Sequence, residues 1–142
     1  MAVPFLACMA LVAQVYHLPP RVLPSIHVVE GGDVGVVGRN TDGSEDLGVM
    51  QVNTIWLDRL ARISRLPVAE VRRRLVDDAC FNIAAAGLIM HVYLNEAHGD
   101  LLQAVGDYHS HTPALNQDYR ARVLAAASRL FERATRPPPA SR

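Results

Sequence analysis

The chain has 142 residues, half of them hydrophobic and a fifth charged, which is the length and composition of one ordinary globular domain. A chain of this size buries roughly 68–70% of its unfolded surface, so it needs no metal or disulfide net to hold a core. Its 14 basic residues, all Arg, balance 14 acidic ones; this argues against a dedicated nucleic-acid binder, which normally shows a strongly basic face. No apolar run approaches the ~18–20 residues of a membrane span, so a single soluble domain is expected. Residues 1–50 carry 2 Arg against 5 acids, and residues 101–142 carry 6 Arg against 3 acids. The two ends could form opposite sides of a cleft or be separate solvated faces.

In chain order the pattern is mostly helical. Pro4 suits the first turn of a helix to about residue 16, with Phe5, Met9, Val12 and Tyr16 on one face. Pro19-Pro20 break it, and a second helix runs over about 20–31, closed by Gly31-Gly32. Residues 32–48 are too rich in Gly, Asn and Asp for helix. Within them, Thr41-Asp42-Gly43-Ser44 reads as the turn of a short β-hairpin. Thr54 is expected to cap a helix over 55–63. Pro67 opens another to 76, and Asp77 or Asp78 caps a long apolar helix to about 97, stopped by Gly99. Further helices are expected over 100–108 and, from Pro113, to about 133. The predicted fold class is mainly α, a bundle of six or seven helices with one hairpin after the second. The domain is expected over 1–135, and the proline-rich tail, 136–142, is expected to be disordered.

Glu30 ends an otherwise apolar helix. A carboxylate there is costly unless paired, protonated or functional, and desolvation would raise its pKa toward that of a general acid at neutral pH. The alternative is a solvated, inert acid at the helix rim. The hairpin supplies a second carboxylate, Asp46, and a Gly48 that would let a ligand approach the backbone. Gln51 and Asn53 both donate and accept, which suits sugar hydroxyls and acetamido groups. Glu30 and Asp46 could flank a groove, as paired carboxylates do at glycosidic bonds.

These residues resemble the catalytic segment of the lysozyme superfamily. Arg39-Asn-Thr-Asp-Gly-Ser44 followed by Asp46-x-Gly-x-x-Gln51-x-Asn53 is similar to the hairpin of animal c-type lysozymes. Gly48-Val-Met-Gln51 resembles the Gly-Leu-Met-Gln motif of bacterial soluble lytic transglycosylases. Cys80-Phe-Asn82-Ile-Ala-Ala-Ala-Gly87 and Ala104-Val-Gly-Asp-Tyr108-His-Ser resemble further segments of that bacterial group, above all of its members that accompany conjugation, type IV pili and secretion machines. The resemblance spans about residues 8–125. It implies that Glu30 is the sole acid/base cleaving the bond between N-acetylmuramic acid and N-acetylglucosamine, with a 1,6-anhydro product. It further implies that Met50 and Gln51 line the muramyl subsite, that Tyr108 reaches toward Glu30, and that Asn40 takes a sugar-binding position. No cofactor is implied. The implied partners are peptidoglycan strands and components of a secretion, pilus or conjugation apparatus.

Gly31-Gly32 stand where that family has Ser after its Glu, and His109-Ser-His111 depart from its Asn-Ala-Gly. Asp46 keeps open a hydrolytic muramidase using Glu30 and Asp46; a non-catalytic wall-binding scaffold is the reading from another class. Cys8 and Cys80 permit one disulfide, free thiols being the expectation in the cytosol and a bridge in an exported chain. The resemblance implies the periplasm or cell wall, hence the bridge. Residues 1–13 are apolar but lack a basic start and an Ala-x-Ala site, so they are expected to belong to the fold. An export signal would then be missing from this sequence, or export would follow another route. His109 and His111, with His91 or His98, make a weak zinc pattern, and no metal is expected. His27 reads as a surface histidine, Trp56 as core, and Arg72-Arg-Arg74 as a solvated face.

Overall fold

A computed structural model describes residues 4–135 and 139–140. The expected tail falls outside the described residues apart from Pro139 and Ala140, which are exposed and lack regular structure. The chain is mainly α with a small β part. Helices α1 (Leu6–Val15) and α2 (Val22–Glu30) precede a three-stranded antiparallel sheet of β1 (Val37–Arg39), β2 (Glu45–Leu47) and β3 (Val52–Asn53). A 3-10 turn (Thr54–Trp56) leads into α3 (Leu57–Ser64), α4 (Val68–Asp77), α5 (Ala79–Glu96), α6 (Leu101–His109) and α7 (Pro113–Thr135).

Local chemistry explains most of the boundaries. Gly31, at φ 66, ends α2 in the left-handed conformation. Asp78, rather than Asp77, caps α5 by accepting from the Phe81 N–H, and Asp100 caps α6 through the Gln103 N–H. Asn53, not Thr54, caps the 3-10 turn through the Ile55 N–H. The Thr54 hydroxyl instead accepts the Glu45 N–H. The expected hairpin is present as β1–β2, with Gly38 opposite Asp46. The third strand pairs Asp46 with Asn53 and Leu47 with Val52.

Helix α5 is apolar on every side because it runs through the core. Ile83, Ala86, Ile89 and Met90 are buried, with α1, α4 and α6 packed around them. The hydrophobic residues of α1 divide between Met9, Val12 and Ala13, which are buried, and Leu6, Leu11 and Val15, which are exposed. Cys8 and Cys80 are joined in a disulfide that fastens α1 to the start of α5, their Cα atoms 5.6 Å apart. Among the described residues, no single helix is long and apolar enough to cross a membrane. The Arg run is a paired face: Arg72 bonds Glu45 at 2.9 Å, and Arg73 and Arg74 both bond Glu70.

Candidate active site

Glu30 is the last residue of α2, half-buried against α7. Its Oε1 accepts the Tyr119 hydroxyl at 2.7 Å. Burial pushes the Glu30 carboxyl above the usual carboxylate range, and the nearby Asp46 charge adds to the rise. The Tyr119 hydrogen bond and the Arg122 charge pull the other way. The result is a carboxyl inclined to keep its proton, with Oε1 held by Tyr119 on a residue that lines the cavity described below.

The turn after Glu30 is fixed from below. His27 is buried, not on the surface, and its Nε2–H donates to the Gly32 carbonyl at 2.9 Å. A Cβ at Gly32 would overlap the carbonyl oxygens of Gly48 and Val49. Gly32 therefore lets the chain leave the acid and pack directly against the β2–β3 connection, whereas a Cβ at Gly31, the position directly after the acid, would meet open space.

Glu30 and the hairpin share a cavity of about 360 Å³. On the sheet side, Asp46 Oδ1 accepts Asn53 Nδ2 at 3.0 Å and its Oδ2 accepts Asn40 Nδ2 at 3.2 Å. Both amides also reach the Ser44 hydroxyl, which donates to Asp42 Oδ1 at 2.6 Å. Asn40, Asp46, Gln51 and Asn53 thus line one wall as a preorganised row of donors and acceptors. Gln51 sits at φ 52, with its Nε2 donating to the Gly48 carbonyl at 2.9 Å.

Met50 does not line the cavity. Its side chain is fully buried behind that wall, and its backbone carries the contact: the N–H donates to Asn82 Oδ1, and the carbonyl accepts the Tyr108 hydroxyl, each at 2.8 Å. Asn82 Nδ2 also donates to the carbonyls of Leu47 and Leu75, so one buried amide pins the β2–β3 connection to α4 and α5. Gly48 serves this junction and not a ligand, since a Cβ there would overlap the Leu75 carbonyl and the Asn82 amide. Tyr108 lines the cavity, but its hydroxyl is spent on Met50, and the phenol that bonds Glu30 is Tyr119. Burial pushes the Tyr108 phenol far above its ordinary range, so it stays a neutral donor.

Tyr119 is the residue that sequence reasoning missed. It belongs to the buried stripe Asn116, Tyr119, Val123 and Ala126 of α7, whose 3–4 spacing is visible in the chain. A phenol on such a stripe must find a polar partner. Its ring stacks on His109, with centroids 5.0 Å apart. Trp56, Tyr93 and His111 also line the cavity, with Trp56 and Tyr93 in a T-shaped pair and Tyr93 and His111 in another. Trp56 is core, as expected, and also lines the cavity. His109 and His111 have different partners, Tyr119 for the first and Glu96 for the second.

No family model matches the chain. It is similar to proteins named "Invasion protein IagB" from two strains of Salmonella typhimurium and from Salmonella typhi, each 32% identical over 88 residues, or 62% of this chain. The chain spans about half the length of these curated relatives, the matched part being 51% of each.

Proposed function

We propose that the chain is a peptidoglycan-cleaving domain, a lytic transglycosylase with Glu30 as its only acid/base. The observation that carries this reading is the Glu30 carboxyl itself: raised by burial, held at one oxygen by Tyr119, and opening on a cavity walled by sugar-compatible amides. Oε2 would protonate the glycosidic oxygen between N-acetylmuramic acid and N-acetylglucosamine. The carboxylate so formed, stabilised by the Tyr119 hydroxyl, would take the proton of the muramyl 6-hydroxyl as that oxygen closes the 1,6-anhydro ring. No water is consumed, and an intramolecular nucleophile has a very high effective concentration. The substrate's acetamido group supports the cationic centre in between. Asn40, Asp46, Gln51 and Asn53 would hold the sugars.

Asp46 favours a second reading, the hydrolytic muramidase, because it shares the cavity and its charge acts on Glu30. Both Asp46 oxygens already accept amide N–H groups, which suits electrostatic support better than nucleophilic attack. Asp46→Asn is therefore expected to lower peptidoglycan clearing by ~10-fold or less, whereas Glu30→Gln lowers it by roughly 10²–10⁴-fold. A dead Asp46→Asn variant would favour the hydrolase. A parent that sediments with peptidoglycan without clearing it would be a scaffold.

The disulfide supports an oxidising compartment, the periplasm or cell wall. The motif likeness supports a place beside a secretion, pilus or conjugation apparatus, a setting that the relatives' name, invasion protein, fits.

A further inference from the structure

Asp107 lies on α6, is 5% exposed, and lines the same cavity from a different element than Glu30 or the hairpin. Its hydrogen bonds among the described residues all run to one oxygen: Oδ1 accepts Gln103 Nε2 at 3.1 Å and Asn116 Nδ2 at 2.9 Å. Helix α7 comes this close because residue 106 is glycine, where a Cβ would overlap the Asn116 amide. Holding α6 to α7 needs only that one acceptor, which an asparagine carbonyl would supply. A nearly buried carboxylate is an expensive way to provide it unless the second oxygen also has a donor. Among the described residues Oδ2 has no donor within hydrogen-bond distance, and it is not sealed from solvent, so it is the oxygen that opens on the cavity. His111 Nε2 lies 3.8 Å from Oδ2, and that nitrogen is committed to Glu96 Oε1 at 3.2 Å.

We propose that Asp107 Oδ2, flanked by His111, is a saccharide subsite in which a hydroxyl or amide N–H of the glycan donates to the carboxylate. The subsite rests on the peptidoglycan reading and deepens it. Gln103 and Asn116 orient the carboxylate through Oδ1, and the Glu96–His111 pair closes the rim beside it, so a donor entering the cavity meets a fixed acceptor. Such charge-assisted hydrogen bonds are the strong ones in carbohydrate sites. The acceptor acts on binding and takes no part in the proton transfers at Glu30.

Asp107→Asn isolates this oxygen, because the amide oxygen can still serve Gln103 and Asn116 while an NH₂ group replaces Oδ2. Tetra-N-acetylchitotetraose titrated into the parent is expected to shift the backbone amides of residues 107–111 in NMR spectra. Asp107→Asn should weaken its binding by ~10-fold or more, raise KM on peptidoglycan with kcat kept, and leave Tm within about 3 °C of the parent. Equal binding by Asp107→Asn, or a saccharide that shifts no amide between 107 and 111, would overturn the subsite while leaving Glu30 catalysis standing. A parent that shifts those amides yet releases no anhydro product would uphold the subsite and overturn the transglycosylase. A parent whose amides the tetrasaccharide leaves unshifted throughout, and which releases no anhydro product from peptidoglycan, would overturn both.

Discussion

Reducing the molecule to two thiols tests what holds α1 in place. The bridge joins residues 72 apart, and closing a loop of that length removes unfolded-chain entropy equivalent to about 4 kcal/mol, with measured bridges mostly at ~2–4. Cys8 is half-buried and Cys80 exposed, so replacing each with Ser costs little packing and the loss is that of the crosslink. Each kcal/mol corresponds to about 3 °C in a domain of this size, so Cys8→Ser with Cys80→Ser should lower Tm by roughly 6–12 °C. Differential scanning calorimetry of the double variant, beside the parent with and without dithiothreitol, checks this. Helix α1 should also exchange its amide hydrogens faster, since only Met9, Val12 and Ala13 are then buried to hold it. A Tm drop below ~2 °C, or two free thiols in air-oxidised parent, would refute the reasoning.

Glu30 also shapes the pH dependence of stability. Its folded pKa lies above the unfolded value, so as pH rises past the unfolded value the unfolded chain loses this proton first and stability falls, levelling off above the folded value. Glu30→Gln should match the parent near pH 4 and be the more stable at pH 7, as paired thermal melts will show; equal destabilisation at both pH values contradicts the buried-acid assignment. Tyr119→Phe removes a hydrogen bond that favours the carboxylate, so the alkaline limb of the pH–rate profile should move upward while kcat falls roughly 10–100-fold through lost orientation. An unmoved limb would mean that the phenol does not act on the acid. Gly48→Ala should destabilise by about 2 kcal/mol or more, because its backbone is left-handed and the Leu75 carbonyl occupies the methyl's place; chemical denaturation measures it, and a neutral result would contradict the junction.

Helix order was legible because prolines, glycines and capping aspartates punctuate the chain, and α5 announces its burial by being apolar throughout. Strand β3 was not, since two residues carry no period and Val52–Asn53 become a strand only by pairing with β2. The desolvated Glu30 could be read from its apolar helix; its partner could not. Periodicity places both Tyr108 and Tyr119 inside, but which hydroxyl meets Glu30 depends on how α6 and α7 cross at Gly106 and Asn116. The same limit applies to His27 and Gly48. Each looked available to solvent or ligand, and each is consumed by a backbone contact between segments distant in sequence or folded back on themselves.

The central claim is that Glu30 alone cleaves the glycan by intramolecular transfer, and the products decide it. Purified peptidoglycan digested with the parent, treated with borohydride and analysed by mass spectrometry should yield 1,6-anhydromuramyl species that resist reduction. Each would be lighter than its reduced hydrolytic counterpart by one water and two hydrogens, and Glu30→Gln should release none. Reducible muropeptides of full mass would contradict the account and assign the chemistry to water.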